Sequence, residues 1–219
     1  MSFDLRQSTK VAWIPRGEEL ANSISHGLGL LGSVAAIPIL VIGAVERGGP
    51  IDVVGSSIFG VSMVFLYLAS TWYHVMPVGK VKERLQRFDH AAIYVLIAGT
   101  YTPFTFGVLG GVWGWTLFGL VWGSAVIGVV VKIVYGAQYS RFSTSMYLVM
   151  GWLVVIAAKP LLSAMPAEGI GWLLAGGLFY SVGVVFFVAH KLPYSHFVWH
   201  LFVLAGTICH FFAVLWFAV

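Results

Sequence analysis

The most constraining feature of the chain is a set of six stretches without a single Asp, Glu, Lys or Arg: Ala21 to Val45, Val53 to Gly79, His90 to Val131, Phe142 to Ala158, Gly169 to His190 and Leu192 to Val219. A membrane-spanning helix needs about 20 predominantly apolar residues. Five stretches therefore hold one span each, and the third holds two, with Gly107, Gly110, Gly111 and Gly114 supplying the turn between them. This predicts an all-α membrane protein, a seven-helix transmembrane bundle with helices near 21–45, 52–76, 88–108, 112–133, 142–163, 168–190 and 195–218. Residues 1–20 are expected to form an N-terminal cytoplasmic segment and residues 21–219 a single transmembrane domain. Composition agrees: 9% of the residues are charged, whereas a soluble domain carries about 25%. Disordered, collagen-like and disulfide-scaffold classes are excluded, and Cys209, the single cysteine, has no internal partner to bridge to. The first apolar stretch lies behind Lys10, Arg16, Glu18 and Glu19 and is longer than the apolar core of a signal peptide, so it reads as a membrane helix.

The basic residues set an orientation. Arg6, Lys10 and Arg16 precede the first span. Lys80, Lys82, Arg84 and Arg87 lie between the second and third, Lys132 and Arg141 between the fourth and fifth, and Lys191 between the sixth and seventh. With seven spans all ten fall on one side, and only Arg47 and Lys159 remain for the other. The positive-inside rule then places the N-terminus in the cytoplasm and the C-terminus outside. The net charge of +4 is distributed over these loops, so no nucleic-acid partner is expected; membrane lipids are. Lys80 to Phe88 reads equally as an interfacial helix or a juxtamembrane loop. Gly119 and Gly123 have the spacing of a close helix contact, Pro38 and Pro103 are expected to kink their spans, and most tryptophans fall near span ends as interfacial anchors.

Ionisable groups inside membrane spans are costly and therefore mark function. Three elements offer them at one depth: Ser70-Thr71-Trp72-Tyr73-His74 ends the second span, Arg87-Phe88-Asp89-His90 begins the third, and Ser195-His196-Phe197-Val198-Trp199-His200 begins the seventh. His196 and His200 are four apart and share a helix face. With His74 they make a three-histidine set of the kind that holds a catalytic zinc with one position open. Asp89 is expected as general base or orienting group and is the only acidic residue predicted near that depth. Position 197 is Phe, so the zinc-protease pattern, with a Glu between the histidines, is absent. A histidine and hydroxyl network without metal is the rival reading. His210 lies ~21 Å beyond His196 along the helix and is expected to be a packed outer-leaflet residue. His26 and His190 are expected at the interface, His90 to point away from the centre that Asp89 faces, and Asn22 and Ser25 to cap the first helix in preference to lining the cavity.

The pattern Ser70-x3-His74, Arg87-Phe88-Asp89-His90 and His196-x3-His200, with Glu18-Glu19-x2-Asn22-x3-His26-Gly27 at the start of the first helix, resembles the hemolysin III family, the bacterial branch of the progestin and adiponectin receptor superfamily and a distant relative of alkaline ceramidases. The resemblance covers nearly the whole chain. It implies a zinc ion near the cytoplasmic face held by His74, His196 and His200, with Asp89 and Ser70 as catalytic groups around its water. Three functions compete. The first is a zinc-dependent intramembrane hydrolase of a lipid amide or ester, the second a receptor-like sensor of membrane lipid state, and the third a pore. A pore needs a polar stripe through the full thickness, and only scattered hydroxyls such as Ser57, Ser62, Thr100, Thr102 and Thr105 are available.

Overall fold

Seven segments long and apolar enough to cross a membrane make up the computed structural model, which describes residues 14–189 and 191–218, with the side chains of Ala137 and Tyr139 outside that description. No strand occurs among the described residues. The protein is a multi-pass membrane protein, as the uncharged stretches require. Its α-helices are α1 (Arg16–Arg47), α2 (Pro50–Val75), α3 (Lys80–Pro103), α4 (Gly111–Tyr135), α5 (Ser140–Gly151), α6 (Ala158–Ala164), α7 (Ala167–Val188) and α8 (Ser195–Phe217); α5 and α6 together form the fifth span. Arg6, Lys10 and His190, to which the sequence assigns loop or interfacial places, lie outside the described residues.

In a membrane every backbone polar group needs an internal partner, and the helix ends show how this chain provides them. Pro50 starts α2, where its missing N–H costs nothing, while Asp52 accepts the Gly49 N–H at 2.7 Å. Gly110 (φ 54°) and Gly111 (φ 46°) turn the chain between α3 and α4 in a conformation other side chains resist. α1 begins at Arg16, five residues before the predicted span, so Glu18 and Glu19 lie in its first turn, where the helix dipole favours acids. α3 begins at Lys80. The segment read as an interfacial helix or loop is the start of the third span itself.

Four other expectations change. Pro103 ends α3, and the chain continues as a wider π-helical turn over Phe104–Leu109, the accommodation a proline ring often requires. The fifth span is interrupted: Leu153–Ala157 tightens into a 3₁₀ turn between α5 and α6. Tyr101 of α3 closes this break, donating its hydroxyl to the Gly151 carbonyl at 2.8 Å and accepting the Val154 N–H at 3.0 Å. Trp152, beside the break, donates to Ser181 Oγ at 3.0 Å instead of anchoring at an interface. Gly119 and Gly123 are exposed with nothing near them; on α4 the close approach is made by Gly128, against whose Cα the Tyr94 ring lies flush.

α1 packs between α2 and α8, α2 against α3, α3 against α4, and α7 against α8. α3 is the most enclosed of the spans. α5 and α7 touch sparsely, and the space this leaves among α3, α5, α7 and α8 is an open cavity.

Candidate metal centre

The ends of α1, α2, α3 and α8 on one side of the bundle converge on a cluster of histidines. His74 comes from the last turn of α2 and His196 and His200 from successive turns of α8. Their rings stand with centroids 4.8 to 5.2 Å apart, and one ligating atom from each lies within 4.8 Å of the other two. His74 and His200 are buried and His196 is half-buried. Three converging imidazoles of this kind can bind a metal ion.

The hydrogen bonds around the rings decide which nitrogens are available. Glu19 Oε2 stands 2.6 Å from His74 Nδ1, which donates to it, and Glu19 Oε1 accepts from Lys82 Nζ at 2.8 Å. With Nδ1 protonated, the buried Nε2 of His74 carries its lone pair and has no hydrogen-bond partner among the described residues. A buried imidazole nitrogen left without a partner is costly unless something else occupies it, and a carboxylate on the opposite nitrogen is the usual support of a metal-binding histidine. His200 repeats the arrangement with a backbone acceptor: its Nδ1 lies 3.3 Å from the Asn22 carbonyl and 3.3 Å from Ser25 Oγ. Ser25 itself donates to the Asn22 carbonyl at 2.9 Å, and Asn22 Nδ2 lies 3.4 Å from His74 Nδ1. Glu18 Oε1 accepts the His196 N–H at 3.2 Å, satisfying one of the open donors at the start of α8 and fixing where its first turn sits. Tyr194, just before α8, takes a left-handed backbone (φ 56°), and its hydroxyl occupies the space over Gly17.

Asp89 and Ser70 complete the near shell. Both are buried; Ser70 lies one turn before His74 on the same helix face, and Asp89 sits beside it within electrostatic reach of His74, Lys82 and Lys132. Asp89, His26 and His196 also line the cavity, whose remaining wall is largely apolar, with Ile93, Leu96, Ile97, Val184, Phe187 and Val203. Of the three clustered histidines, His196 is the one that borders this largely apolar chamber, with Asp89 and His26 beside it.

The sequence pattern of the haemolysin-III-related family matches residues 16–211 of the chain. The chain belongs to that family. Among relatives of this haemolysin-III-related protein, the Hemolysin-3 homolog of Bacillus subtilis (strain 168) is 48% identical over 202 residues, covering 92% of this chain and 95% of the relative. Hemolysin-3 of Bacillus cereus is 46% identical over 202 residues, 92% of each chain. The human protein called Monocyte to macrophage differentiation factor is 29% identical over 167 residues, 72% of this chain and 67% of its own length.

In this haemolysin-III-related protein the five residues singled out from sequence, Ser70, His74, Asp89, His196 and His200, do come from elements that meet at one end of the bundle. The surroundings differ from expectation. Glu18 and Glu19, not Asp89 alone, are acids at this depth, because α1 starts early enough to carry both beside the cluster. Asn22 and Ser25 contact His74 and His200 and cap nothing. His26 is buried, not interfacial, with its ring stacked on that of His200 at 3.5 Å. His90 does not point away: it lines the cavity beside Asp89 and packs edge-on against Phe187. Lys82 and Lys132, assigned to loops, are buried in α3 and α4; Lys82 also donates to the carbonyls of Tyr73 and Met76 at 2.9 and 3.0 Å. The hydroxyls of Ser57, Ser62, Thr100, Thr102 and Thr105 all donate to carbonyls of their own helices at 2.7 to 2.9 Å. The signal for Glu19, Asn22 and His26 was present in their spacing, since positions 19, 22 and 26 share one face of a helix.

Proposed function

We propose that this protein is a zinc-dependent hydrolase of an amide or ester bond in a membrane lipid, seated in a bacterial plasma membrane with the histidine cluster at its cytoplasmic face. The observation that carries the reading is the pairing of a convergent three-histidine set and a buried carboxylate with an apolar cavity that His196 and Asp89 both line. His74, His196 and His200 would hold the metal, with Glu19 and the Asn22 carbonyl fixing the tautomers of His74 and His200. The chemistry a zinc ion supplies in such a set is Lewis acidity, which acidifies water and polarises a carbonyl. Asp89 is the proton acceptor, and Ser70 orients the attacking water. The apolar wall from Ile93 to Phe187 takes the acyl chain and keeps bulk water from the reacting bond. The pore reading lacks support of this kind, since the hydroxyls it would use already donate to their own backbone.

The test has two parts. Purified wild type is expected to contain about one zinc per chain and His200→Ala almost none, measured by elemental analysis. Asp89→Asn is expected to keep its zinc and to lose turnover of a panel of acylated lipids by 10²-fold or more. Wild type that carries zinc and hydrolyses no lipid amide or ester would favour a sensor of membrane lipid state over an enzyme.

A further inference from the structure

Two indoles line the cavity, and one of them has its N–H engaged: Trp152 donates to Ser181 Oγ at 3.0 Å. Trp199 is 6% exposed, and its Nε1 makes no hydrogen bond among the described residues, although the atom is not sealed in. An indole nitrogen can only donate. At membrane depth such an N–H is costly unless something supplies an acceptor. The packing of the ring shows which way it is turned. Cε3 and Cζ3, on the six-membered ring, lie against Gly183 of α7, so Nε1, on the opposite edge, is turned away from that glycine. Trp199 follows His196 by three residues on the same face of α8. The Phe187 ring packs against both, at centroid distances of 5.2 Å from Trp199 and 6.0 Å from His196. The unused donor therefore belongs to the end of the cavity that His196 and Asp89 line.

Most other polar hydrogens on the wall are committed within the protein. Tyr101 donates to the Gly151 carbonyl, Tyr147 to that of His90, Thr100 to that of Leu96 and Ser181 to that of Gly177. His26, stacked on His200, keeps both ring nitrogens enclosed. His90 is the other uncommitted donor, since its ring nitrogens have no hydrogen-bond partner among the described residues. A neutral imidazole offers a lone pair beside its N–H, whereas the indole offers a hydrogen alone. No Lys or Arg lines the cavity among the described residues, and Asp89 does, so an anion here would find a like charge on the wall and no opposite one. The acceptor that suits Trp199 is an uncharged oxygen.

We infer that Trp199 positions the substrate carbonyl: its Nε1–H donates a hydrogen bond to the acyl oxygen of the lipid's amide or ester and fixes how that carbonyl is turned toward Asp89 and the histidines. The inference rests on the proposed entry of a lipid into this cavity. A donor already in place where negative charge grows on the oxygen stabilises attack without reorganising. The apolar surroundings of Phe187 and Val203 strengthen the bond relative to the same bond in water.

A ligand with a carbonyl and no hydrolysable bond tests it. The ketone 2-octadecanone and the alkane octadecane are competed against a fluorescent acyl probe on the purified, detergent-solubilised protein. The ratio of their affinities is compared between variants, so that partition into detergent cancels. The ratio favouring the ketone is expected to be about fivefold higher in wild type than in Trp199→Phe, which keeps an aromatic ring and loses the N–H. His90→Phe is expected to retain the wild-type ratio. Wild type labelled with nitrogen-15 at its indole nitrogens gives a readout that needs no variant: one indole N–H proton is expected to move downfield with the ketone and to hold still with the alkane. An unchanged ratio in Trp199→Phe, a ratio lost in His90→Phe in its place, or indole protons that ignore the ketone overturns the inference. A protein that shows the ratio and the shift and hydrolyses no lipid loses the hydrolase reading alone; one that hydrolyses lipids and fails these measurements loses this inference alone.

Discussion

At the scale of the residue, the histidine cluster is a question of which nitrogen faces inward. The carboxylate of Glu19 settles it for His74, and it is itself held by Lys82. Glu19→Gln keeps the size of the side chain and removes the charge that accepts the His74 Nδ1–H. The expected outcome is a 10- to 100-fold weaker zinc affinity, measured by chelator competition, with the fold intact by circular dichroism. Unchanged affinity would reduce Glu19 to a structural clamp between α1, α2 and α3. The three histidines and Asp89 were legible from sequence because spacing and span depth are enough to bring them together. Glu19, Lys82 and His26 were misread because their depth depends on where α1 and α3 begin, and a charged residue at a span end reads as loop when its buried partner is on another helix.

Elements were legible wherever an apolar run has charges or glycines at both ends, which is why seven spans follow from the sequence. The interruption of the fifth is a different matter. Its apolar pattern is continuous, and the break is sustained by a tyrosine fifty residues earlier, whose hydroxyl satisfies both the Gly151 carbonyl and the Val154 N–H. Tyr101→Phe leaves two backbone groups without that partner at membrane depth and is expected to cost about 1–3 kcal/mol, seen as a lower thermal unfolding midpoint in detergent. Packing between α3 and α4 gives a paired prediction. Gly128→Val forces a side chain into the Tyr94 ring and is expected to cost about 1–3 kcal/mol. Gly123→Val, on the exposed face of the same helix, is expected to change stability by less than about 0.5 kcal/mol. Equal effects at the two positions would mean that α3 and α4 do not pack through Gly128.

For the whole molecule the open quantity is direction. Ten of the twelve Lys and Arg residues belong to the end of the bundle that carries the histidine cluster or to segments joined to it, and the burial of Lys82 and Lys132 does not alter the end on which they sit. By the rule that Lys and Arg near span ends are retained in the cytoplasm, we propose that the cluster faces the cytoplasm. Replacing the buried Cys209 by Ser leaves a cysteine-free background in which single cysteines report sidedness. Val112 is 83% exposed in the turn region after the third span, at the opposite end from Lys80, which is also exposed at the start of α3. A membrane-impermeant maleimide applied to intact cells is expected to label Val112→Cys and to spare Lys80→Cys, with both labelled once the membrane is permeabilised. The reverse pattern would place the histidines at the outer face. The labelling result also bears on the proposed chemistry: with the cluster inside, a lipid substrate would enter the cavity beside His196 and Asp89 from the cytoplasmic leaflet.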